Sequence, residues 1–351
     1  MGQYSTYRSP LLERGGAVQA ETPDVGVAAH YGDPLREQRR LIEGVAVVDR
    51  SHRGVLRVSG PDRLGWLHSL TTQHLEATPA WSAAQALVLS PHGHVEHDLR
   101  LCDDGTATWI DVEPGTVATL LAFLDSMRFL LRVDPRDVTE EWAVLWASGP
   151  DLPSRLGVPA PGQARRDGQM LVRRSVLGGA AEPPAVDLLV PRGEMSAVAD
   201  RLAPVAGVGA YEALRVAAGA ARLGRDTDHR TIPHEVGWLT TAVHLDKGCY
   251  RGQETVARVH NLGRPPRRLV RLHLDGTAGQ LPAHALPVSW EGRTVGFVGT
   301  AAWHYELGPI ALALVKRAVP DEVSLVVDGH PAQVEALPGL AAADLASAGR
   351  G

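Results

Sequence analysis

The sequence predicts an α+β protein of more than one domain that ends in a small β-barrel. Three observations carry that reading. At 351 residues the chain is too long for one ordinary core. Its 37 glycines and 25 prolines imply frequent turns, which favour mixed structure over a helical bundle. Near residue 265 the pattern changes, from strands interleaved with helical periods to short strands between glycine turns.

The elements follow in order. An irregular arm leads into a helix from Asp33 to Gly44, and VAVVDRS, Val45 to Ser51, reads as a strand. Val55, Leu56 and Val58 mark a second strand, after which Gly60-Pro61-Asp62 opens a helix with Leu64, Leu67 and Leu70 at helical spacing. A hairpin is expected from Ala84–Ser90 and Val95–Cys102, turning at Pro91-His92-Gly93. The strand TATWIDV and the helix PGTVATLLAFLDSMRFLL complete what reads as a split β-α-β, ferredoxin-like layer. A second α/β section starts near 140, with helical MSAVADRLAPVAG and LRVAAGAARLG. The loop Asn261–Arg268, NLGRPPRR, is polar, basic and twice broken by proline, and is taken as a boundary. The expected organisation is therefore 30–265, 266–340 as a β-barrel, and 341–351 as a tail.

A net charge of −5 and a pI near 6.3 argue against a dedicated nucleic-acid binder. Two cysteines make no disulfide framework and suggest a reducing compartment. The N-terminus has neither a basic start nor a long apolar run, and no stretch approaches the ~20 apolar residues that span a bilayer. A cytoplasmic protein without a membrane partner is expected.

Three stretches carry candidate chemistry. In LDKGCYRGQETVARVHN, Cys249 lies between Lys247 and Arg251, in a glycine loop ahead of a helical segment. Such a place favours a thiolate, through backbone donors and neighbouring cations. Spacing alone reads the same cysteine as inert, packed beside Tyr250 in a tight turn. In HGHVEHD, strand alternation puts His92, His94, Glu96 and Asp98 on one face and His97 on the other. That stripe is read as a solvated hairpin face rather than a metal centre, and no metal is expected. In YEALRVAAGAARLGRDTDHRTIPHEVGW, Arg215, Arg225, Asp226 and Glu235 are candidates to face a cleft. Phosphate-loop, dinucleotide, zinc-protease and nucleophile-elbow patterns are absent.

KGCYRGQE, Lys247 to Glu254, resembles the signature of the YgfZ family, folate-binding proteins linked to iron–sulfur cluster assembly and repair. HYGDP, VAVVDRSHRGVLRVSGPDRLGWLHSLTTQ, SPHGHVEHDLRL, LRVAAGAARLGRDTDHRTIPHE and GRTVGFVGTAAWHYELGPIALALV extend the resemblance along the chain, and these blocks are shared with the glycine-cleavage (GcvT) aminomethyltransferases. The resemblance implies three domains in a ring around a central cleft for tetrahydrofolate or a one-carbon derivative. It implies Cys249 as functional thiol, with Lys247, Tyr250 and Asp98 in the reactive set. It also implies Arg215, Glu235, Arg251, Gly252, Gln253, Glu254 and Arg258 around the folate, and further cations in the 264–268 loop.

Two departures separate the chain from the aminomethyltransferases: His97-Asp98 stands where they carry paired aspartates, and they have no cysteine at the place of Cys249. A third is Ala217, where the related folate proteins carry a glutamate in an R-L-E-A-G-like run; Glu212 or Glu235 would have to replace it. The leading expectation is an accessory protein for iron–sulfur cluster assembly or repair, whose partners are folate and cluster-assembly or client proteins. The alternative is a tetrahydrofolate-dependent one-carbon transferase or demethylase acting on a small amine, with His97, Asp98 and Glu235 as acid/base candidates.

Overall fold

A computed structural model describes residues 7–175, 177, 183–262 and 265–340. The expected tail 341–351 and Arg264 of the basic loop lie outside the described residues. Contacts divide the chain into two compact units. The first holds the residues up to Ala86 and His97–Tyr211; the second holds Leu87–Glu96 and everything from Glu212 onward.

The first unit begins with a small ribbon, β1 (Val18–Gln19) and β2 (Ala28–His30). Helix α1 (Pro34–Glu43) starts where Asp33 accepts a hydrogen bond from the Arg36 amide and stops at Gly44, as its sequence signals predict. Then come β3 (Ala46–Asp49), β4 (Gly54–Ser59), α2 (Arg63–Leu70), β5 (Ala83–Leu89), β6 (Val95–Asp103), β7 (Ala107–Val112), α3 (Val117–Ser126) and β8 (Asp134–Asp137). The unit continues with β9 (Trp142–Ser148), α4 (Leu152–Arg155), β10 (Ala164–Asp167), β11 (Met170–Arg174), β12 (Ala185–Pro191), α5 (Met195–Leu202) and β13 (Val205–Ala206). Helix α6 (Val208–Ala217) starts there and runs on into the second unit.

One sheet has the order β5-β6-β7-β4-β8 and the other β10-β11-β12-β9-β3-β13. The six-stranded sheet buries Val47, Leu145 and Leu188 against Val198 and Leu202 of α5. Its other face meets the five-stranded sheet, with Val144, Leu171 and Leu189 packed against Val55, Cys102 and Trp109. Between the sheets lies an ion cluster. Asp111 accepts from Arg53 Nε at 2.7 Å and from Arg173 Nη2 at 2.6 Å, and Arg173 also reaches Asp187 at 3.1 Å.

The second unit adds α7 (Trp238–Ala242), α8 (Gln253–Leu262) and six strands: β14 (Arg267–Leu274), β15 (Pro287–Trp290), β16 (Arg293–His304), β17 (Gly308–Lys316), β18 (Ser324–Val327) and β19 (His330–Ala336). They close into a barrel in the order β14-β17-β16-β15-β18-β19, which bears out the expected C-terminal barrel. Strand alternation sorts its side chains. Ala311, Ala313 and Val315 of β17 fill the interior, whereas Ile310, Leu312 and Leu314 pack with Leu87, Leu89 and Val95 of the hairpin and with Tyr250 and Val256.

Three local expectations differ from the structure. The helix read from LRVAAGAARLG starts earlier and ends at Ala217, because Gly219 takes a left-handed φ of +68° and packs under the Leu337 side chain. The loop expected over Asn261–Arg268 is shorter, since α8 runs to Leu262 and β14 starts at Arg267. The hairpin stripe is solvated only at its tip: His92 and Glu96 are exposed, but Asp98 is buried, with Gln85 and Arg100 donating to its carboxylate.

Candidate functional site

The loop that carries Cys249 is fixed from both ends. Gly252, with φ +81°, directly precedes α8, and a Cβ there would sit 2.5 Å from the Ser90 carbonyl oxygen and 2.9 Å from the Gly93 Cα. Gly93, with φ +79°, approaches Thr255 of α8 in the same way. The hairpin tip and the start of α8 therefore meet glycine to glycine, at a distance no side chain tolerates. Arg251 crosses this contact to Glu96 at 3.0 Å, and Gln253 donates to the Lys247 carbonyl at 3.4 Å.

Within the loop the side chains separate. Tyr250 enters the core, where burial pushes its hydroxyl up to about 12. Lys247 is 5% exposed, with Nζ 5.1 Å from the Tyr250 ring centroid, and burial pushes its amine down to about 8. Cys249 is a free thiol on the exposed side, so the buried, inert alternative does not describe it. Glu254 and Arg258, one turn apart on α8, are also exposed.

Arg215 and Glu235 lie elsewhere in the second unit, each in a closed ion network. The Arg215 guanidinium reaches Asp226 and Glu212 at 2.6 Å each and Thr300 at 2.7 Å; these carboxylates hold its proton above the usual arginine range despite burial. Asp226 in turn accepts from the Thr300 amide at 2.7 Å. Glu235 is fully buried and accepts from Arg267 at 2.8 Å and from the Ile232 amide at 3.1 Å. These pairs fasten the segment after α6 to barrel strands β14 and β16.

Asp98 and His97 belong to the first unit, the Cys249 loop to the second. Asp98 accepts from Gln85 at 2.8 Å and from Arg100 at 3.2 Å. His97 is buried with Nδ1 unpartnered, and desolvation pushes it down to about 4, so the imidazole is neutral at neutral pH. A residue outside the candidate set behaves alike. His234 has two buried, unpartnered ring nitrogens and is pushed down to about 4 by burial, with His260 adding repulsion. Its only sequence signal is its place beside Glu235 in IPHE. Among the described residues no group of three or more His, Cys, Asp or Glu is placed to hold a metal ion, and no helix is long and apolar enough to cross a membrane.

No protein-family model matches the chain. It is 27% identical over 337 residues to an aminomethyltransferase of Parasynechococcus marenigrum, an alignment covering 88% of this chain and 89% of that one. It is 27% identical over 287 residues to a chloroplastic protein of Arabidopsis thaliana described as a putative transferase, covering 76% of this chain but only 65% of that protein's length. The structure matches the glycine cleavage system aminomethyltransferase T of Bartonella henselae with a TM-score of 0.80 at 20% identity, over 93% and 95% of the two chains. The chain thus has the aminomethyltransferase fold and is aminomethyltransferase-like in sequence.

Proposed function

We propose that this protein is a tetrahydrofolate-dependent one-carbon transferase of the aminomethyltransferase type, acting on a small amine. The observation that carries the reading is similarity to proteins named aminomethyltransferase through about nine-tenths of both chains. Of the two functions expected from the sequence, the accessory role in iron–sulfur assembly has less support than this one.

The donor set can be compared with what a folate requires. A folate presents a ring edge that suits a carboxylate and a glutamate tail that suits cations. Glu212 and Glu235 already hold arginines, so the ring edge falls to another group. The buried imidazoles of His97 and His234 retain unpartnered nitrogens. Arg258 is exposed and suits a carboxylate tail; Arg251 is half-buried and would exchange its contact with Glu96 for one. On this basis Arg251 and Arg258 would hold the tail, and the imidazole of His234, in the same unit, the ring. When bound, the folate supplies an amine that accepts a one-carbon unit. In the first unit His97, neutral and with Nδ1 unpartnered, is the acid/base candidate, able to hold or pass a proton at that atom.

The test incubates the protein with tetrahydrofolate and a panel of small aminomethyl donors, whose transferable carbon is already at the formaldehyde level, and follows methylene-tetrahydrofolate. Formation with one amine is expected; a blank panel, with no folate binding by calorimetry, refutes the reading. A second reading, a YgfZ-type role in cluster maintenance, is favoured by one observation: the KGCYRGQE loop presents Cys249 outward. It expects Cys249→Ala to stay folded yet fail to support cluster enzymes in cells. Unchanged cluster-enzyme activity would remove it.

A further inference from the structure

The chain contains 35 lysines and arginines, and only Lys247 and Lys316 among them are lysine. A sequence that uses arginine for nearly every cation has placed a lysine at a buried position. Arginine stays protonated at any physiological pH, and arginine is what this fold uses for buried cations. Arg53, Arg173, Arg215 and Arg268 are each at most 3% exposed. What lysine offers and arginine does not is an amine that gives up its proton and becomes a nucleophile. The two lysines also differ in setting. Lys316 is exposed and donates to the Thr294 carbonyl. Lys247 is 5% exposed, sits over the Tyr250 ring, and is anchored by the Gln253 contact to its carbonyl and by the Gly93–Gly252 approach.

We infer that Lys247 is a carbonyl-reactive amine, which captures a one-carbon unit at the oxidation level of formaldehyde. This deepens the transferase reading and rests on it for its biological use. The Nζ lone pair adds to the carbonyl carbon. The C=O π pair moves to oxygen, which takes up the proton released by nitrogen, giving a carbinolamine. With one further proton, water leaves and an N=CH2 iminium remains. No electron is gained or lost overall, and the carbon stays open to a second amine. Burial serves this chemistry in two ways: it lowers the amine to about 8, and it keeps bulk water from the iminium.

The scarcity of lysine makes the test direct. The folded protein is treated briefly with formaldehyde and cyanoborohydride at pH 7, and the N-methylation of Lys247 and Lys316 is compared by peptide mass spectrometry. An amine at about 8 rather than an ordinary 10.4 is roughly 250-fold richer in its neutral form. Lower basicity and burial reduce that advantage, so Lys247 is expected to react about tenfold faster than Lys316. Equal or slower reaction at Lys247, or reaction only after denaturation, overturns the inference and leaves a structural cation. Lys247→Arg, checked for folding by circular dichroism, keeps the charge; it is expected to leave Lys316 labelling unchanged and to lose the fast site. A fast phase that survives in Lys247→Arg also overturns the inference. The assay contains neither folate nor amine substrate, so its failure leaves the transferase reading standing. A blank transferase panel likewise leaves a reactive Lys247 standing.

Discussion

Gly252→Ala is the substitution whose effect the structure defines best. Two costs add. A non-glycine residue at φ +81° carries about 1 kcal/mol of left-handed backbone strain. The new Cβ would also lie 2.5 Å from the Ser90 carbonyl oxygen, a backbone atom that cannot swing aside, and overpacking of this kind costs about 1–3 kcal/mol. The expected loss is therefore about 2–4 kcal/mol, or a Tm lower by about 4–16 °C for a unit of this size. The loop offers its own control. Gly248 has no left-handed φ and nothing within 4 Å of a built Cβ, so Gly248→Ala should stay within about 0.5 kcal/mol of the parent. Urea unfolding of the three proteins, followed by tryptophan fluorescence, checks this. Equal stability for Gly252→Ala, or equal damage from both variants, would refute the close approach of hairpin and loop.

Asp111 sits between Arg53 and Arg173 and is held at about 2, so removing it as Asp111→Ala leaves two buried guanidiniums short of a partner and should cost about 3–5 kcal/mol in urea unfolding. Because its folded value is depressed, this contribution is present above about pH 4 and is lost as pH falls through about 2; a difference between parent and variant that does not shrink on acidification from pH 5 to 2 contradicts it. His234 is also depressed, from an ordinary value near 6.5 to about 4. The unfolded chain binds a proton that the folded one refuses, so stability present above about pH 6.5 falls off toward pH 4, by on the order of 2–3 kcal/mol. His234→Leu should flatten that slope when unfolding is compared at pH 7 and pH 5; an unchanged slope argues against the burial. Iodoacetamide should alkylate Cys249 in the folded protein while Cys102, buried and pushed up to about 12, waits for unfolding. Peptide mapping that finds Cys102 labelled first would contradict this order.

What was legible in the sequence was mostly what short-range physics writes there. Asp33 and Gly44 frame α1 because a side-chain cap and a glycine are local signals, and the barrel strands announce themselves by alternation and glycine turns. Contacts between distant segments were not legible. Asp111 finds Arg53 and Arg173 across 58 and 62 residues, and no spacing rule joins them. Asp98 reads as solvated from its alternation, yet in the fold it is buried and accepts from Gln85 and Arg100. Arg215 and Glu235 read as charges facing a cleft, whereas in the fold each is engaged by opposite charges. In the sequence Lys247 is a neighbour of Cys249, whereas its burial over Tyr250 is a tertiary fact.

The second unit is discontinuous in sequence: Leu87–Glu96 belongs to it, and the remainder begins only at Glu212. During synthesis those ten residues emerge long before the helices and strands that cover Leu87, Leu89 and Val95. A nascent chain must therefore carry an uncovered apolar hairpin until the barrel is made, a window in which chaperone capture or aggregation competes with folding. The same arrangement limits how the protein divides. A fragment starting at Glu212 lacks the three hairpin side chains from its main cluster, and supplying Leu87–Glu96 as a separate peptide should restore part of its folding.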